Sequence, residues 1–160
     1  MTKTRRELLA AALLAASAAG LASTLAFDPK STSPVNIDGK GLALRGTDPV
    51  SYFADGKPAR GTAAFQSQWQ GTTYQFATAD NKTVFDKDPA RYAPQYGGFC
   101  AWAASQGYKA DADPAAWKVV DGKLYVNYNA DVGKTWAANA PAFIIAGDAN
   151  WSKVQSQPRK

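Results

Sequence analysis

The chain has 160 residues, 46% of them hydrophobic and 19% charged, with a formal net charge of +5 at pH 7. That is enough for one domain and too apolar for a disordered chain. It has no His and a single Cys, which excludes a Ser-His-Asp triad, a Cys-His dyad, a zinc site of the HExxH type, an axial His for haem and any disulfide within the chain.

Residues 1–26 read as an export signal. Lys3, Arg5 and Arg6 precede an apolar stretch from Leu8 to Ala22, and Thr24 and Ala26 supply the small residues of a cleavage site before Phe27. The stretch is short and Ala-rich, a poor transmembrane span. Thr4-Arg5-Arg6-Glu7-Leu8-Leu9 is similar to the twin-arginine export motif. The expected destination is the periplasm or the cell exterior, with the membrane touched only by an uncleaved signal. Cleavage removes three basic residues and one acidic residue and leaves a net charge of +3. The remaining Lys and Arg are scattered, with no basic stripe, so no nucleic-acid partner is expected.

Residues 27–41, rich in Pro, Ser, Asp and Gly, read as an extended lead-in with little structure of its own. Residues 42–152 follow as the folded domain, with 153–160 as a tail. Thr47 or Asp48 caps a short helical turn that Pro49 opens. Residues 64–69 place Phe65, Ser67 and Trp69 on one face, residues 72–76 place Tyr74 and Phe76 on one face, and Gln70-Gly71 between them reads as a hairpin turn. Thr78 caps a helix over 79–86, with Val84 and Phe85 inward, and Asp88-Pro89 opens a further turn containing Tyr92. Tyr96-Gly97-Gly98 is a loop, and residues 99–106 read as a helix stopped by Gly107. Asp121-Gly122 between 117–120 and 123–128 is a strong hairpin signal, because both turn positions take positive φ. Helices are expected over 130–138 and, after a break at Pro141, over 142–151. The expected fold class is α+β: a small antiparallel sheet of hairpins packed against short helices.

Asp48-Pro49-Val50, Tyr74-Gln75-Phe76, Phe85 and Asp88-Pro89-Ala90-Arg91-Tyr92, in that order and spacing, resemble the YHS domain. Tyr96-Gly97-Gly98-Phe99-Cys100 and Asp121-Gly122-Lys123-Leu124-Tyr125 extend the likeness to exported, stand-alone YHS-domain proteins of bacteria. Metal-linked YHS domains place three Cys at positions that are Ser51, Ala77 and Asn81 here, so the metal role implied by the resemblance does not carry over through those ligands. Soft metals need Cys, Met or His, and the chain without its signal offers one such residue. A hard-ion site from Asp80, Asp86 and Asp88 is the less favoured alternative, since helix caps account for these residues.

Cys100 is then the residue with chemistry. Some exported members are described as selenoproteins, with selenium expected at this position, which implies redox or metal chemistry there. A start of a helix at Cys100 lowers its pKa, whereas burial among Tyr96, Phe99 and Trp102 raises it. The thiol is reactive only if Gly97-Gly98 leaves an opening beside the sulfur. Tyr96 and Tyr125 are the aromatic residues best suited to line a ligand pocket, because their hydroxyls need partners. The candidate site is Cys100 with Tyr96, Gly97, Gly98, Trp102 and Tyr125. The function expected first is a binding module for a small ligand or metal ion near Cys100; the identity of the ligand and of any cofactor is unknown. The alternatives are a single-cysteine redox protein or sensor, and an interaction protein without site chemistry. A dimer through Cys100 is a further expected partner arrangement. Without His, and with no base near Cys100 in sequence, hydrolysis is not expected.

Overall fold

The computed structural model describes residues 31–160, so the expected export signal, residues 1–26, lies outside the described part. The strands form three antiparallel ribbons: β1 (Thr47–Asp48) with β2 (Ala59–Arg60), β3 (Thr62–Trp69) with β4 (Thr72–Phe76), and β5 (Asp113–Val120) with β6 (Lys123–Asn127). The helices are α1 (Ser51–Ala54), α2 (Ala79–Lys87), α3 (Pro89–Tyr92), α4 (Ala101–Ser105), α5 (Ala130–Ala138) and α6 (Ala140–Val154). The class is α+β. No described helix is long and apolar enough to cross a membrane.

Both hairpin turns follow from their residues. Gln70 and Gly71 have φ of 48° and 72°, and Asp121 and Gly122 have 50° and 71°, the twist that two-residue turns need to join right-twisted strands. Phe65, Ser67 and Trp69 share the half-buried face of β3, while Tyr74 and Phe76 of β4 are buried. Thr78 accepts a hydrogen bond from the Asn81 N–H at the start of α2, and Asp88 accepts one from Arg91 N–H at the start of α3. Phe85 of α2 packs with Tyr74, Phe76, Val50 and Ala93 into one apolar cluster. A second cluster joins Tyr96, Tyr125, Trp136 and Ala140 on the side of α5 and α6. A third contains Leu44, Tyr52, Cys100, Ala112, Leu124 and Val126.

Several expectations need correction. Thr47 and Asp48 both lie in β1, the N-cap position of α1 is Val50, and of the two expected cap residues it is Asp48 whose carboxylate accepts the N–H groups of Val50 and Ser51. The helix expected over 99–106 starts only at Ala101, because Cys100 is still extended: its N–H donates to Ala110 O at 3.0 Å and it bridges to Val126 of β6. Pro141 does not break the last helix. It lies in the first turn of α6, where a missing N–H costs nothing.

Both ends of the described chain are docked on the domain. Val35 of the lead-in is buried, and Asn36 N–H donates to Gly97 O at 2.8 Å. The last residues pair alongside Lys109 through Arg159, and Lys160 N–H donates to Lys109 O at 2.8 Å. The Lys109 ammonium, itself fully buried, donates to Ser33 O at 2.8 Å and to Gln155 O at 2.9 Å, tying the lead-in and the C-terminal segment together. Burial and the neighbouring Arg159 hold its pKa below the usual lysine value.

Candidate functional site

Ser51, Ala77 and Asn81 come together around one carboxylate. Asp48 is fully buried. Its Oδ1 accepts from the N–H groups of Val50 at 2.8 Å and Ser51 at 3.3 Å, and its Oδ2 from Ala77 N–H at 2.9 Å and the Asn81 amide Nδ2 at 2.7 Å. The Ser51 hydroxyl donates to Asp48 O at 2.7 Å and accepts from Ala59 N–H at 2.9 Å. A buried carboxylate needs such partners. Here they join the lead residue of α1, the end of β4 and the first turn of α2.

The carboxylates considered for a hard ion do not converge. Asp86 takes the Ser67 hydroxyl and the Lys82 ammonium, and Asp88 caps α3. Among the described residues no group of three or more His, Cys, Asp or Glu side chains lies together.

Cys100 is buried, with 1% of its surface exposed. Its thiol donates to Asn127 Oδ1 at 3.7 Å, and the same oxygen accepts from Trp102 N–H at 3.0 Å. Burial pushes the thiol pKa up, outweighing the backbone hydrogen bonds of Ala103, Tyr128 and Trp102 that pull it down. The competition between helix start and burial is therefore won by burial; α4 has only five residues, too few for a strong terminal field.

The glycine pair leaves no opening beside the sulfur. A Cβ on Gly97 would lie 1.9 Å from Pro34 O, so Gly97 is bare because the lead-in passes directly over it. Asn36 reinforces the crossing, donating from its amide to Gly98 O at 3.1 Å.

Tyr96, Gly97 and Gly98 have φ of 52°, 61° and 78°, a complete left-handed turn. Leu44, Arg45 and Gly46, with 50°, 51° and 76°, form another. L-residues enter this region singly and at a cost, and sustained strain of this kind marks sites that the surrounding fold over-determines. A pocket of about 150 Å³ lies between the two turns, lined by Leu44, Arg45, Gly98, Asp111, Ala112 and Val126 among others. Leu44, Ala112 and Val126 also belong to the apolar cluster of Cys100. At the polar side of the pocket Asp111 accepts from the Arg45 guanidinium at 2.7 Å and from the Asn36 amide at 2.8 Å. Burial alone would raise the Asp111 pKa, but Asn36, Ala112 N–H and Arg45 together hold it below the usual carboxylate range.

The other predicted site residues divide. Trp102 is half-buried against Tyr108. Tyr125 is a core residue, its ring 5.0 Å from Trp136 and 5.9 Å from Tyr96. Tyr96 is turned away toward α6, where its hydroxyl donates to Asp148 Oδ1 at 2.9 Å. Asn36, Arg45, Asp111 and Asn127 escaped the sequence reading, and only Gly46, beside Arg45, hinted at an unusual turn.

Residues 50–96, which begin two positions after Asp48, match the family model of the YHS domain. The chain carries a YHS domain. No curated protein and no solved structure matches the chain. The domain type implies a metal, but the residues present do not fit one. Both oxygens of Asp48 are filled by N–H donors. Of the three positions that carry Cys in metal-linked YHS domains by resemblance, Ser51 and Asn81 are held in hydrogen bonds and Ala77 has no side-chain donor atom.

Proposed function

We propose that the chain is an exported binding module that holds a small ligand, reversibly and without covalent chemistry, in the pocket between the two left-handed turns. The observation that carries this reading is that Leu44 and Arg45 of one turn and Gly98 of the other line one pocket, whose apolar lining residues Leu44, Ala112 and Val126 belong to the cluster of Cys100. Its volume of about 150 Å³ matches engineered cavities that take one benzene ring. The ligand is therefore a molecule of a single small ring or its equivalent. Its apolar part faces Leu44, Ala112 and Val126, and its polar end faces Arg45 and Asp111. Cys100 supports the wall. A redox role for the thiol is disfavoured by its burial and raised pKa, and a dimer through Cys100 needs the packing of α4 on β6 to open first. Export rests on the charged, apolar and small-residue order of residues 1–26.

Native mass spectrometry of the protein isolated from the cell envelope of its host tests this. The chain is expected to begin at Phe27 and to carry a small non-covalent mass increment. Ala112→Leu, which fills the pocket, is expected to fold and lack it. A bare wild-type chain, or an increment unchanged by Ala112→Leu, would overturn the reading, and a bare chain would favour an interaction protein without a ligand.

A further inference from the structure

A second pocket, of about 360 Å³, opens on the other side of Tyr96, lined by Trp69 from β3, Pro94 and Tyr96 before α4, and Asp148, Trp151 and Ser152 from α6. It is built where the YHS segment meets the C-terminal helix. Gly147 lets α6 press onto Tyr96: a Cβ there would lie 2.6 Å from the Tyr96 hydroxyl oxygen. The Tyr96 and Trp151 rings are 5.7 Å apart and tilted by 56°, and the hydrogen bond from Tyr96 to Asp148 Oδ1 at 2.9 Å holds the carboxylate beside them. The lining contains one carboxylate and no Lys or Arg, and among the described residues no cationic side chain pairs with Asp148.

We propose that this pocket binds a small organic cation of the quaternary-ammonium class. The half-buried indoles of Trp69 and Trp151 attract a cation through the ring quadrupole, most strongly when it is weakly hydrated, and the exposed Asp148 carboxylate supplies the counter-charge. One oxygen of Asp148 is already engaged by Tyr96, and beside the rings the wall carries the side-chain amides of Gln95 and Gln155 and the hydroxyl of Ser152. The site is independent of the pocket beside Cys100 and stands whether or not that pocket is occupied.

The probe is choline chloride, titrated into the isotope-labelled full chain while the indole N–H signals of Trp69 and Trp151 are followed by NMR. Choline is expected to shift both signals saturably, and its neutral isostere dimethylbutanol to bind at least about tenfold more weakly. Asp148→Asn keeps an acceptor for the Tyr96 hydroxyl, so it is expected to leave the melting temperature in place and to weaken choline binding about tenfold. Absence of a saturable shift, equal binding of the neutral isostere, or unchanged affinity in Asp148→Asn would each overturn the proposal.

Discussion

The Asn81 amide donates to the Asp48 carboxylate at 2.7 Å, at a position where metal-linked YHS domains, by resemblance, carry a Cys. Asp48 Oδ2 also takes the N–H of Ala77, and its Oδ1 those of Val50 and Ser51. One buried anion thus organises the ends of three elements. Because its oxygens face donors, an added cation finds no free acceptor there.

Asp48→Ala is expected to be among the most destabilising single changes in the domain. It strands buried N–H donors as well as removing charge-assisted hydrogen bonds, for a loss of about 3 to 5 kcal/mol. Asn81→Ala removes one donor from a half-buried site and is expected to cost about 1 to 2 kcal/mol. Urea unfolding of the two variants checks the order; a smaller loss for Asp48→Ala than for Asn81→Ala would contradict the hub role.

The family positions also predict a metal result. Dialysis of the purified protein against a mild chelator, followed by elemental analysis, is expected to leave well under one copper or zinc per chain. A retained stoichiometric ion would show that residues other than Ser51, Ala77 and Asn81 form a site.

Gly97→Ala separates close approach from backbone conformation. Gly71 also has positive φ, at 72°, but a Cβ there meets nothing within 4 Å, whereas at Gly97 it would lie 1.9 Å from Pro34 O. Gly71→Ala is expected to cost about 1 kcal/mol, and Gly97→Ala clearly more, with the lead-in around Val35 becoming open to proteolysis. Equal stability of the two variants, with an equally protected lead-in, would refute the crossing.

The alkaline limb of stability follows from the buried phenols. Tyr52, Tyr74, Tyr96 and Tyr125 all have pKa values raised above the ordinary 10.0, in each case first by burial. Above that ordinary value the unfolded chain loses phenolic protons that the folded chain keeps. Their contribution is complete below about pH 10 and is lost as pH rises, by up to about 1.4 kcal/mol per pH unit for each phenol. Lys109, with its pKa lowered, acts in the opposite sense: between its folded pKa and the ordinary 10.5 the unfolded chain holds the extra proton, so stability rises with pH there. One lysine against four tyrosines leaves a net fall. Urea midpoints measured above pH 10, with ultraviolet detection of tyrosinate, are expected to decline together with the appearance of tyrosinate. Ionisation of all the phenols without loss of structure would contradict this.

Local signals were well expressed in the sequence. Gln70-Gly71 and Asp121-Gly122 read as hairpin turns because positive φ is a property of the turn itself, and Thr78 and Asp88 read as caps because their partners lie three residues on. Long-range pairings were not legible. Asn36 meets Asp111 across 75 positions, and Lys109 meets Ser33 across 76; neither spacing leaves a periodic trace. The same limit applied to Gly97, whose glycine reads as exposure until Pro34 is seen above it. Cys100 read as a helix start because Ala101, Ala103 and Ala104 favour helix, but the tertiary pairing with Val126 keeps Cys100 itself extended.

The role assigned to Cys100 is tested most directly by its rate of reaction with an uncharged thiol reagent in the folded protein. The enclosed sulfur, its raised pKa and the covered Gly97 predict labelling far slower than that of free cysteine at the same pH, reaching completion only in denaturant. Reaction in the native state faster than free cysteine at about pH 6, where only a depressed pKa supplies much thiolate, would contradict a structural Cys100 and return the chain to thiol chemistry.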